Sequence, residues 1–237
     1  MNWDSILNAY PAQTEAILGI KALHELTERV LSNVAIPELE APLKGMDDFS
    51  AFIPILAPVC SAVWKETAGA DPAFDIAEVL ASFITGQDPP TVPEADRELT
   101  GAVINSIVSR FLHMLREKNL RLVPEALYEG DCPFCGSFAK IGFDAEDERT
   151  LACLSCGHTW RFPRLRCPAC SNTDHATLGY FDAEGIEGVR VYFCKVCRHY
   201  FKVIDTRVRT VTDPETEDAL TLELDDLAGK EGFSLPS

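Results

Sequence analysis

The sequence predicts an α+β chain: an N-terminal helical bundle, two tandem four-cysteine metal ribbons, and an acidic C-terminal helix. Three observations carry this prediction. Eight of the nine cysteines form four Cys-x-x-Cys pairs between residues 132 and 197. Apolar residues before the pairs recur with a helical period. Between the pairs, short β-branched and aromatic runs read as strands. The expected divisions are residues 1–125 (helical), 126–166 (first ribbon), 167–212 (second ribbon) and 213–237 (acidic helix and tail).

The helical region holds four periodic segments. Residues 14–33 place Ile17, Ile20, Leu23, Leu26, Val30 and Leu31 at helical spacing. Residues 50–67 form an apolar second segment, where Pro54 and Pro58 predict a late start or a kink. Residues 74–85 end at Gly86, a helix-stop signal. Asp88-Pro89-Pro90-Thr91-Val92-Pro93 reads as a linker or turn, and residues 94–119 form the longest helix. Cys60 lies in the apolar second segment and is expected in the core. Strand-like runs follow at 139–143, 177–181, 189–193 and 200–204, and residues 215–230 return to a helix with Leu220, Leu222, Leu224 and Leu227 among acids.

The cysteines dictate the chemistry. Two thiolates three residues apart grip one ion from a tight turn, and two such turns complete a tetrahedral sulfur shell. The four pairs are Cys132/Cys135, Cys153/Cys156, Cys167/Cys170 and Cys194/Cys197, ligands enough for two ions. Their intervals read Cys-x2-Cys-x17-Cys-x2-Cys and then Cys-x2-Cys-x23-Cys-x2-Cys. The decapeptide from Cys153 to Phe162 aligns without gaps on that from Cys194 to Val203, so one structural unit is used twice. Sequential pairing is the simpler arrangement; the sequence leaves an interleaved one open. Gly136 and Gly157 suit the left-handed turn of a metal knuckle, whereas Ser171 and Arg198 replace glycine in the second block and predict looser turns there. Redox-active dithiols are the competing reading, but such a site sits at a strand-to-helix junction.

Charge and targeting narrow the classes. The opening Met1-Asn2-Trp3-Asp4 lacks the flank and apolar run of a secretory signal. No apolar run reads as membrane-spanning. A cytoplasmic location with reduced thiols is expected, which favours metal over disulfides. The net charge is −16: residues 1–125 hold 9 basic and 18 acidic side chains, residues 126–212 hold 11 and 11, and residues 213–237 hold 1 and 8. This balance disfavours nucleic acid, which demands a basic face. Arg161, Arg164 and Arg166 after the second pair and Lys195, Arg198, Lys202, Arg207 and Arg209 around the fourth, with Trp160, Tyr200 and Phe201, are instead a candidate protein-docking stripe. His158 and His199 follow their cysteine pairs and are expected beside the ions rather than on them. A closed four-sulfur shell has no open position for substrate, and no phosphate loop or serine nucleophile motif is present, so no enzyme activity is expected.

Taken together, these residues resemble the FdhE family, the formate dehydrogenase accessory proteins. The resemblance rests on the four successive pairs behind a helical region and on Cys132-Pro133-Phe134-Cys135-Gly136-Ser137. Trp160, Arg166-Cys167, Tyr180, Tyr200-Phe201-Lys202-Val203 and the acidic segment around Asp225-Asp226-Leu227-Ala228 extend it. It implies rubredoxin-like or zinc-ribbon sites holding two metal ions, iron or zinc. It also implies a cytoplasmic assembly factor that binds the catalytic subunit of formate dehydrogenase. Trp160, Arg161, Arg164 and Tyr200 are the expected contact face. The alternatives are a rubredoxin-like iron electron carrier and a zinc-ribbon nucleic-acid-binding protein. The helical region disfavours the first and the acidity the second.

Overall fold

The computed structural model describes residues 1–87, 91–123, 129–211 and 213–235. Part of the expected linker, Asp88 to Pro90, lies outside these residues, as do residues flanking the expected divisions at 125/126 and 212/213. Contacts divide the chain into two compact units, Gln13–Leu122 and Met1–Ala12 with Val123–Ser237. The first twelve residues, expected with the helical region, thus belong to the cysteine-bearing unit. The cause is α1 (Trp3–Ala9), capped by Asn2, which packs on α7 (Pro214–Ala219) near the other end of the chain. Its backbone is tied there by Asn2 N–H donating to Thr216 Oγ1 at 2.6 Å.

The helical unit contains α2 (Thr14–Leu31), α3 (Met46–Phe49), α4 (Ile53–Ala68), α5 (Ile76–Thr85) and α6 (Glu94–Lys118). The apolar stripes read from the sequence face inward: α4 packs on α2, α5 and α6, and α2 packs on α6. Leu31, Leu56, Val63, Leu80, Ile107 and Leu115 are buried between them. Phe49, Phe52 and Phe111 form an aromatic cluster with centroids 5.4–6.0 Å apart. Pro54 lies in the first turn of α4, where its missing N–H costs nothing, and Pro58 is carried inside the helix. Asp75 caps α5 through Ala77 N–H, and Gly86 ends it in the left-handed conformation. Cys60 is a core residue, and burial pushes its thiol up to about 12. One sequence expectation is corrected here. The stretch Met46–Ala68 is long and apolar enough to cross a membrane by length and composition. Its Phe49, Phe52, Leu56, Val59, Cys60, Val63 and Trp64 are buried within the helical unit, and the rest of the stretch is partly or fully exposed.

The other unit is built on one six-stranded sheet of order β3-β2-β1-β6-β5-β4. The strands are β1 (Ile141–Asp144), β2 (Arg149–Ala152), β3 (Thr159–Arg161), β4 (Leu178–Asp182), β5 (Val189–Cys194) and β6 (Tyr200–Asp205). Each ribbon is an antiparallel three-stranded meander. The two are fused by parallel pairing of β1 with β6, Ile141 opposite Lys202 and Asp144 opposite Asp205. Tandem modules were expected; the structure shows them sharing a continuous sheet. The seam joins the first strand of one repeat to the last strand of the other, so the repeats follow by translation.

The acidic tail is likewise not a separate element. It forms α7 and α8 (Leu222–Lys230), broken at Leu220–Thr221. Leu224, Ala228 and Phe233 complete a core with Ile141, Val191 and Ile204 of the sheet. Lys202, fully buried on β6, lies 2.7 Å from Asp218 and 2.8 Å from Asp225. A buried ammonium needs such compensation. The tail's negative charge is therefore partly internal.

Candidate metal centres

Each cysteine pair sits in the same turn. The N–H four residues after the first cysteine donates to that cysteine's carbonyl: Gly136 to Cys132, Gly157 to Cys153, Ser171 to Cys167 and Arg198 to Cys194, at 2.8–2.9 Å. The first cysteine's own N–H donates to the carbonyl of the next residue on, namely Ser137, His158, Asn172 or His199, at 2.8–3.0 Å. The turn requires a positive φ at its fourth step, and Gly136 (74°) and Gly157 (72°) supply it without steric cost. Ser171 (59°) and Arg198 (64°) adopt it too, and are the positive-φ non-glycine residues of the described chain. The second block keeps the turn geometry rather than loosening it. Arg198 is held by its contacts with the tail: Nε donates to the Gly232 carbonyl, Nη2 to that of Glu231, and the guanidinium lies 4.4 Å from the Phe233 ring.

The turns meet in sequential pairs. Cys132, Cys135, Cys153 and Cys156 bring their sulfurs together, and so do Cys167, Cys170, Cys194 and Cys197, each group lying within 4.8 Å. Closest sulfur separations are 3.5 Å for Cys132–Cys156 and Cys135–Cys153, 3.6 Å for Cys167–Cys197 and 3.8 Å for Cys170–Cys194. A tetrahedron of sulfurs about 2.3 Å from a central ion has edges of about 3.8 Å. The donor sets therefore fit a four-thiolate ion, and the sulfur chemistry suits iron or zinc. Hydrogen bonds also aim at the sulfurs: backbone N–H groups of Ala169 and Cys170 at Cys167, those of Val196 and Cys197 at Cys194, and Asn172 Nδ2 at Cys194 from 3.5 Å. In the first cluster the crowded thiols titrate apart. Hydrogen bonds with Cys132 and Cys135 push Cys156 and Cys153 well up, and those from Cys132, Cys153 and Cys156 hold Cys135 well down. A central cation is what would let all four ionise together.

His158 and His199 lie outside both sulfur groups; their carbonyls close the turns, and His158 stacks on Trp160 with centroids 5.9 Å apart. The expected docking face is only partly a surface. Trp160 is 6% exposed and donates Nε1–H to the Glu129 carbonyl at 2.8 Å. Tyr200 is 4% exposed and donates its hydroxyl to Asp225 at 2.8 Å; burial, then the Asp225 hydrogen bond, push its phenol up. Both aromatics are structural, because a buried ring with a polar tip needs an internal partner. Arg164 reaches the Ala145 and Glu146 carbonyls and braces the turn between β1 and β2. Arg161 is solvent-facing and paired with Glu148.

Sequence reasoning missed Arg149. Its guanidinium, almost wholly buried, makes a two-pronged ion pair with Asp144 at 2.8 and 2.9 Å and lies 4.0 Å from the Tyr192 ring. It thereby ties the first ribbon to the second. Its signal was a charged residue opening a short run (Arg149-Thr150-Leu151-Ala152) five positions after an aspartate. Nearby lies a cavity of about 320 Å³ lined by Tyr192, Phe193, Phe201, Cys167 and Cys194 among others.

Residues 165–237 match the family described as FdhE, C-terminal domain. A protein FdhE homolog of Aquifex aeolicus is 32% identical over 114 residues, 46% of this chain and 40% of the relative. One of Shewanella oneidensis is 29% identical over 106 residues, 43% of this chain and 35% of the relative. The matched stretch thus spans well under half the length of these relatives. The crystal structure of the FdhE protein from Pseudomonas aeruginosa superposes with a TM-score of 0.68 at 22% identity, over 99% of this chain and 92% of that one. The resemblance read from the cysteine pairs is borne out: residues 165–237 match the FdhE C-terminal domain, and the chain shares the fold of one FdhE protein along its length.

Proposed function

We propose that this chain is an accessory protein that binds the catalytic subunit of a formate dehydrogenase and supports its maturation in the cytoplasm. The observation that carries this reading is the coincidence of the FdhE C-terminal match with the second ribbon and its helices. The eight cysteines of the four knuckles are the proposed ligands of two ions, iron or zinc. Bound there, an ion supplies a rigid cross-link between knuckles, with redox capacity if it is iron. Four sulfurs would complete each shell, which supports a non-enzymatic role.

The contact face is revised by the burial of Trp160 and Tyr200. Leu165, Tyr180 and Val196 are exposed at 52–68%. Leu165 and Tyr180 border the cavity, Val196 lies in the fourth knuckle, and all three fall within the family match. With Arg161 they make the proposed surface for the client, since exposed apolar and arginine side chains are able anchors. Tagged chain purified anaerobically from a lysate should retain a formate dehydrogenase catalytic subunit, identified by mass. Leu165→Asp and Arg161→Glu should weaken capture while metal content stays unchanged. Recovery of nucleic acid with no protein client would overturn the assignment.

A further inference from the structure

The two centres are made by one kind of turn, yet they are offered to solvent differently. All four cysteines of the first are buried. In the second, burial follows position in the knuckle: the opening residues Cys167 and Cys194 are buried, the closing residue Cys170 is exposed and Cys197 is half-buried. Cys167 and Cys194 also line the apolar cavity with Tyr180, Tyr192 and Phe193. One pair of ligands therefore belongs to the lining of an apolar cavity, and the other pair faces water. The backbones differ in the same sense. The first centre uses two glycines in the left-handed turn, whereas the second forces Ser171 and Arg198 into it, which costs free energy for any residue with a Cβ.

We propose that the second centre exchanges its ion with an incoming thiolate ligand, while the first is a permanent clamp. The proposal rests on reading both clusters as metal centres. The step is a ligand substitution. Cys170, the exposed ligand, would be the one an incoming thiolate replaces, and its freed thiolate would take up the proton that the incoming thiol released. The ion keeps its charge and no electrons move. Cys167 and Cys194, both buried, retain the ion until a second ligand arrives. The first centre has no exposed sulfur edge, so it must open before a ligand can reach it.

The test uses the whole chain loaded with zinc alone and mixed with excess dithiol chelator. Two ions per chain should leave in two phases of equal amplitude, the faster at least about tenfold quicker and rising in rate with chelator concentration. Iodoacetamide added to the native loaded chain, read by peptide mass, should label Cys170 and Cys197 during the fast phase and spare Cys132, Cys135, Cys153 and Cys156. Ser171→Gly keeps all eight ligands and removes the strained Cβ, so it should slow the fast phase and leave the slow one unchanged. Release of both ions in one phase, or labelling of the first four cysteines alongside Cys170, overturns the proposal. A chain that fails to hold two ions overturns the metal reading itself.

Discussion

The helical unit and the cysteine-bearing unit solve the same problem with different means. The first closes around an apolar interior, with Phe49, Phe111 and Leu115 fully buried and few charges inside. The second places Arg149, Lys202 and Glu217 in its interior beside six buried cysteines. Burying such groups yields little net stability even when they are paired. What remains to hold the ribbons is a small apolar core around Ile141, Val191, Ile204 and Leu224 and any ions the two sulfur clusters bind. The lesson is that sheet continuity and ion binding should be coupled in one unit and irrelevant to the other.

Stripping metal should break the comparison open. A structural ion of this type contributes on the order of 10 kcal/mol. Chelation of both centres should abolish near-ultraviolet signals from Trp160 and Tyr200 and keep most of the far-ultraviolet helix signal, which comes from α2 to α6. Loss of all helix in one cooperative step would show that the two units do not fold independently. Phe111→Ala is the converse cut. It removes a fully buried ring from the aromatic cluster and should cost about 3–5 kcal/mol in denaturant midpoint terms, with two ions still bound. Asp144→Ala strands the buried Arg149 charge at the ribbon junction and should cost about 3–5 kcal/mol, seen in the ribbon transition alone. Ser171→Gly is the gentlest. Relief of its left-handed strain should stabilise the ribbon unit by about 1 kcal/mol, measured in the loaded protein.

Much of this architecture was legible because it obeys short-range rules. Residues 14–33 and 94–119 read as helices, and α2 and α6 end within two residues of those limits. The duplicated spacing announced two centres, and the structure adds that the pairs join in sequence. Three features escaped for physical reasons. Helix α1 buries only Ile6 and depends on a partner far along the chain, so no local period reveals it. Strands β2 and β3 are 4 and 3 residues long, too short for alternation to stand out. Trp160 and Tyr200 looked like interface anchors because sequence does not display their internal acceptors, the Glu129 carbonyl and Asp225.

The tie between Asn2 and Thr216 has a consequence for the order of events in synthesis. It spans 214 positions, so α1 emerges from the ribosome early and finds its partner only when α7 has been made. The helical unit needs nothing beyond Leu122 and can be complete long before that moment. The first cysteine cluster closes next, from ligands within 24 residues of one another. The parallel seam with β6, the tail helices and α1 then arrive together. The cysteine-bearing unit is therefore completed after the helical one, once α7 has been made and α1 can pack on it.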